Sequence, residues 1–336
     1  MLPSGEDTYI VATIEGLNKE DNEGKMVLFH VDENGNRLYG QTYKNLGYFF
    51  EGRAIAYSGE DGQFYIKKNG ERLNEKSYKK AFGFKNGYAI VSKDYDEGEF
   101  YIDLEGNQAF ESNYKKLTNF SDGIARVIDK DDNWFHLDTQ GNRLYSENYD
   151  WAGEYKEGFA VVRDFDMNRF HIDKNGKRLY KENYAWVGNF EDGFAIIKDK
   201  EDNMFHINKN GYPISKIGYK YVGQFKEKHA LVMDEEGMYH IGFNGNRYYS
   251  EKYPYASDYE NGKATVRDAN NNWFYIDLNG NKIEDEDPFE ELGVYWRQAI
   301  GSGGMPCPEI LLGDDVDLSN PDCAIMQQDL ENSIVR

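Results

Sequence analysis

Trp134-Phe135-His136-Leu137-Asp138-Thr139-Gln140-Gly141-Asn142-Arg143-Leu144-Tyr145 reads as a strand, a tight turn and a second extended segment. Aromatic and branched side chains before the turn suit a pleated, largely buried surface. Glycine suits the turn because it takes φ > 0 without a steric penalty. The same grammar returns in Phe170-His171-Ile172-Asp173 before Gly176 and in Phe274-Tyr275-Ile276-Asp277 before Gly280. The turn glycine recurs at Gly35, Gly70, Gly106, Gly141, Gly176, Gly211, Gly245 and Gly280, at spacings of 35, 36, 35, 35, 35, 34 and 35. Seven consecutive spacings within one residue of 35 define an internal repeat of eight copies.

Two further blocks complete the unit. One reads aromatic-x-x-Gly-x-Ala, as from Phe120 to Ala125, Tyr155 to Ala160, Phe190 to Ala195 and Tyr259 to Ala264. The apolar run Phe159-Ala160-Val161-Val162 within it predicts a buried strand. The other is a short stretch such as Tyr184-Ala185-Trp186-Val187-Gly188. Asn175-Gly176 and Asn279-Gly280 are hairpin signals, since both turn residues tolerate positive φ. Each copy is therefore expected to hold four antiparallel strands. In copy five these are Tyr149–Tyr155, Phe159–Arg163, Arg169–Asp173 and Arg178–Tyr180. No part of the array has sustained helical periodicity, so the fold class is all-β.

These residues resemble the bacterial WG repeat family, whose unit carries a Trp-Gly-aromatic-Ile-Asp-x-x-Gly stretch followed by an aromatic-x-x-Gly-x-Ala block. Trp134 to Asp138 and Trp273 to Asp277 match it best, with Phe or Tyr in place of the naming glycine throughout. The resemblance covers residues 8–295 and implies an interaction module with no general catalytic residues.

Units of this length close into a propeller or stack as an open solenoid. Tyr9 to Ile14 aligns with the second strand of other copies, so copy one lacks a first strand. Phe289 to Tyr295 aligns with a first strand and is spare. A missing strand at one end and a spare one at the other favour an eight-bladed β-propeller over an open β-solenoid, because closure removes free edges. The expected organisation is an array over 1–295 and a flexible acidic tail over 296–336. Whether that tail is disordered, a partner-binding peptide or the stub of a further domain stays open.

The 336-residue chain has a net charge of −21, so nucleic acid and anionic membrane are poor partners and a basic protein or peptide a better one. Cys307 and Cys323 are its two cysteines, which make no disulfide framework. No apolar run is long enough for a membrane helix, and the N-terminal residues do not resemble a signal peptide. A cytoplasmic monomer is expected, or export without such a peptide.

Five of the six histidines occupy one slot, five residues before the glycine: His30, His136, His171, His206 and His240. Tyr65, Tyr101 and Tyr275 fill it in the other copies. One reading is a circle of imidazoles and carboxylates that binds a cation or senses pH. The other is a flat amphipathic ring packed between copies and bonded to the acidic residue two positions on, which free exchange with Tyr favours. Acidic loops such as Asp129-Lys130-Asp131-Asp132-Asn133 suggest calcium, but they lack the fixed glycine and terminal Glu of a helix-flanked calcium loop and also read as plain turns. Trp134, Trp151, Trp186 and Trp273 are platforms for a sugar or peptide, or packing between copies. The candidate binding residues are thus the five slot histidines with Trp134 and Trp273. No nucleophile elbow, phosphate loop, H-E-x-x-H or C-x-x-C motif is present, so no metal, cofactor or catalytic residue is expected. The leading expectation is a non-catalytic protein-interaction scaffold. A lectin-like carbohydrate-binding module and the regulatory array of a larger enzyme are the alternatives.

Overall fold

The computed structural model describes residues 9–15, 25–59, 62–94, 96–284 and 288. Among them are strands, bridges and turns, and no helix. The strands form seven three-stranded antiparallel sheets and one two-stranded sheet, each built from consecutive strands. By contact density the chain divides into Met1–Gln224 and Phe225–Arg336, a division that falls within the strand Tyr221–Lys226. The first unit holds copies one to six. The second holds the remaining two strands of copy seven and all three strands of copy eight.

Copy five shows the common plan. Its strands are Trp151–Lys156, Phe159–Arg163 and Arg169–Asp173. Phe159 pairs with Asp173 and Arg163 with Arg169, while Trp151 pairs with Arg163 on the other side of the middle strand. A bulge between Ala152 and Tyr155 twists the first strand, which is shortened to two residues in copies two, three, four, six and eight. The middle strand is apolar because both of its faces are covered: Ala160, Val161 and Val162 are all buried.

Copies two to eight each have three strands, where four were expected. The segment after the turn glycine joins the ladder only through isolated bridges, Leu137 with Arg143 and Trp134 with Tyr149 in copy four, Ile172 with Arg178 and Arg169 with Tyr184 in copy five. Two things draw it off the ladder. Arg178 turns back over the Phe170 ring, 3.7 Å from its centroid, and Tyr180 is buried beside the next copy. A pleated strand cannot continue while its side chains serve these two places.

Among the described residues copy one is the two-stranded sheet, Tyr9–Glu15 paired with Lys25–Val31, which correspond to the middle and last strands of the other copies. The spare strand expected at Phe289 to Tyr295, and the tail over 296–336, lie outside the described residues.

The core lies between copies. One continuous cluster runs from Ile90 through Phe120, Leu137, Val162 and Ile172 to Ile207, taking members from copies three to six. The turn glycines help close these joints. Gly176 has φ +79°, and a Cβ there would sit 2.6 Å from the Cβ of Tyr145 in the preceding copy. Gly211 meets Tyr180 in the same way. The glycine recurs for its backbone conformation and for the room that it leaves the neighbouring ring.

Candidate functional site

The slot histidines sit between copies, at 0 to 1 % exposure. The Nε2–H of His171 donates to the carbonyl of Gly188, seventeen residues on in the next copy, at 2.9 Å. A carbonyl only accepts, so Nε2 carries the proton and Nδ1 is the acceptor. Tyr180 donates its hydroxyl to that Nδ1 at 2.9 Å. The same pair of bonds holds His30 between Tyr39 and Gly47, His136 between Tyr145 and Gly153, and His240 between Tyr249 and Ser257. His206 donates to the Gly223 carbonyl at 2.8 Å.

Tyrosine replaces histidine because it makes the same long reach. Tyr65 donates to the Phe82 carbonyl and Tyr101 to the Thr118 carbonyl, each seventeen residues on and each at 2.6 Å. The partner four residues after the glycine changes with the slot. It is Tyr39, Tyr145, Tyr180 and Tyr249 beside histidine, but Asn74 and Phe110 beside tyrosine. A second phenol is needed only where an imidazole leaves an acceptor. In copy eight the residue four after the glycine is Glu284, and the position seventeen residues on from Tyr275, Leu292, lies outside the described residues.

Burial disfavours the imidazolium and pushes His136, His171, His206 and His240 down to about 4, against a weaker upward pull from the carbonyl bond. His30 is lowered for the same reason. These rings are neutral structural bolts at neutral pH.

The expected bond from the slot histidine to the acidic residue two positions on is not made. That residue closes the turn instead. Asp138 accepts the backbone N–H of Gln140 and of Asn142 at Oδ1 and the Asn142 amide at Oδ2. The acidic loops at the other end of the sheets repeat this device. Asp129 accepts from Asp131 and Asn133, Asp199 from Glu201 and Asn203, and Asp268 from Asn270 and Asn272. The first aspartate of each loop thus spends its carboxylate on N–H donors of its own turn, as in an ordinary Asx turn. Among the described residues, no three His, Cys, Asp or Glu side chains group as a metal site.

The tryptophans divide. Trp134 and Trp273 are half-buried; Trp134 lies 6.4 Å from Trp151 between ring centroids, and Trp273 lies 5.1 Å from Tyr255. Trp151 and Trp186 are more exposed, at 37 % and 41 %. They occupy the same place in copies five and six, two residues before Gly153 and Gly188. A Cβ on either glycine would meet the far ring carbon of its tryptophan at 2.9 or 2.8 Å, so each indole lies across its own strand over a glycine. Those glycines are the ones whose carbonyls His136 and His171 hold.

A groove of about 760 Å³ opens between the two indoles, with Lys156, Arg163, Arg169 and Glu191 among its walls. Arg163 is bridged to Asp150 at 2.5 Å. This groove is the molecule's candidate site, and the buried histidines act in it only by fixing its floor. The sequence carried one sign of it: tryptophan two residues before glycine in copies five and six, where copies two to four place Asn45, Lys80 and Lys116.

An all-β array of short antiparallel sheets, bolted copy to copy by buried side chains, defines the class as a repeat protein. Residues 64–95 and 100–134 match the family described as WG containing repeat. These segments are WG repeats, and the slot, turn glycine and bridging bonds that they share with the other copies support assigning the array to that family. No curated protein matches the chain. Solved structures resemble it at low identity. BamB from Moraxella catarrhalis aligns over 81 % of this chain and 96 % of its own at 10 % identity and TM-score 0.32. Apo AztD from Citrobacter koseri aligns over 77 % and 90 % at 13 % identity and TM-score 0.29. The WD40 beta propeller domain of Doa1 aligns over 67 % and 89 % at 12 % identity and TM-score 0.25.

Proposed function

We propose that this protein is a non-catalytic scaffold that binds other polypeptides. The carrying observation is where its reactive-looking groups go. Four of the five slot histidines have both ring nitrogens engaged across the joints, His206 bonds the next copy through Nε2, and the turn aspartates spend their carboxylate oxygens on their own turns, so these repeated candidates for chemistry hold copies and turns together. What varies from copy to copy is the surface, and the groove of about 760 Å³ between Trp151 and Trp186 is a concavity on it. Trp and Arg are the residues over-represented at protein-binding hot spots. The partner is a protein or peptide; nucleic acid and membrane stay disfavoured by the net charge. Closure of the eight copies into a propeller belongs to this reading, on the sequence's missing and spare first strands. It is tested by truncation after residue 288, which should weaken hydrogen-exchange protection at Tyr9–Glu15 if the ring closes.

The test of the scaffold reading is affinity capture on the full chain, then reconstitution of the retained protein with purified array. A defined, saturable complex with no turnover of the captured protein is expected. Chemical conversion of that protein by the array would contradict the reading.

A further inference from the structure

Copy five departs from its neighbours at places where its own fold does not favour the departure. The turn between its middle and last strands is Asp164-Phe165-Asp166-Met167-Asn168, closed like the others by Asp164, which accepts from Asp166 and Asn168. The fourth residue of this turn sits in the left-handed region. Other copies put Gly62, Gly98, Asp132, Asp202, Gly237 or Asn271 there, residue types that tolerate it. Copy five puts Met167 there, at φ +65°. Phe165 and Met167 are 61 % and 62 % exposed, so no burial of their own compensates.

The base of the same hairpin is unusual too. Arg163 pairs directly with Arg169, a like-charge pair across two strands, which is unfavourable. The equivalent pairs are Tyr57 with Gln63, Ile128 with Trp134, Lys198 with Met204, Met233 with Met238 and Arg267 with Trp273, none with two charges. Asp150 takes Arg163, and Arg169 lines the groove as a second positive charge. Trp151 pairs with Arg163, so the row Trp151, Arg163, Arg169 runs across the sheet beneath the Phe165 and Met167 tip.

We infer that copy five is the partner-contacting copy: its hairpin tip and the Trp151–Trp186 groove together bind a polypeptide segment that brings apolar side chains to the tip and indoles and a carboxylate to Arg169. This rests on the scaffold reading above and gives it a place and a ligand class. An exposed Phe and Met beside Trp and Arg is the composition of a protein interface core. A strained residue and an opposed pair of cations are retained where a bound partner rewards them. A sugar site has no use for an exposed methionine tip.

The test uses the full chain and three fluorescent probes: a peptide alternating leucine with glutamate, its leucine–lysine counterpart, and an oligogalacturonate. The net charge of −21 favours a basic partner over the whole surface, but at this groove the local cation Arg169 outweighs it, so the glutamate peptide should bind more tightly than the lysine one by about tenfold. Arg169→Gln should remove that preference. Phe165→Ser with Met167→Asn should weaken binding by about tenfold while the melting temperature holds or rises, because Asn suits the left-handed turn position. The inference is overturned if the lysine peptide binds as well or better, if the double variant binds undiminished or melts earlier, or if only the oligogalacturonate binds. A captured protein partner that none of these substitutions affects would sink this site and leave the scaffold reading standing. Failure to capture any protein would count against the scaffold reading itself.

Discussion

The imidazole of His171 donates from Nε2 to the carbonyl of Gly188 at 2.9 Å, across the joint between copies five and six. This bond ties a buried ring in one copy to the floor of a groove in the next. With Tyr180 on its other nitrogen, it also explains why the slot accepts two residue types and no others among the eight copies.

His171→Tyr alone should destabilise, because the new phenol enters a space already filled by Tyr180. His171→Tyr with Tyr180→Phe should recover much of the loss, since copy three is built that way with Tyr101 and Phe110. The coupling in a double-mutant cycle should be on the order of 1 kcal/mol or more, measured by urea unfolding. Additive effects would show that the two positions do not act as a pair.

Stability should fall as pH drops from about 7 towards 4. An unfolded histidine takes up its proton near its ordinary value of about 6.5, whereas His136, His171, His206 and His240 in the folded chain do so only at about 4. In that window the unfolded state holds more protons, so unfolding free energy rises with pH. Each group contributes about 1.4 kcal/mol per unit of displacement. The His171→Tyr, Tyr180→Phe variant should show a shallower pH dependence by one proton. An unchanged slope would mean that His171 titrates normally in the fold.

Much of this fold is legible in the sequence. Phe159–Arg163 and Arg169–Asp173 form with the bounds expected from their apolar pattern and the glycine after them. The segment Arg178–Tyr180 does not extend as a strand, because its fate is decided by Tyr180 packing against another copy. The expected bond between the slot histidine and the next acidic residue fails for a similar reason. Strand alternation sees two residues ahead, while the real partners stand nine and seventeen ahead. Their trace was present as covariation: tyrosine follows the glycine by four residues in four of the five histidine copies, with Ser215 the exception. The groove was harder to foresee, since the value of Trp151 and Trp186 as platforms depends on Gly153 and Gly188 letting the indoles lie flat.

Gly176→Ala and Gly158→Ala should differ. Both glycines have positive φ, but a Cβ at 176 would press on Tyr145 while one at 158 meets nothing within 4 Å. Alanine at 158 should lose about 1–2 kcal/mol to backbone strain. Alanine at 176 should lose about 1–3 kcal/mol more from overpacking. Equal losses by thermal or urea unfolding would contradict the close packing of the turn glycine on the preceding copy.

The most direct test of the central claim is a hydrogen-exchange footprint of the full chain with and without its captured partner. Protection on binding should gather at Trp151–Lys156, the 163–169 hairpin and Trp186–Val187, while the buried middle strands, already protected, change little. Protection that gathers elsewhere, or spreads evenly over all copies, would contradict a partner site on copy five.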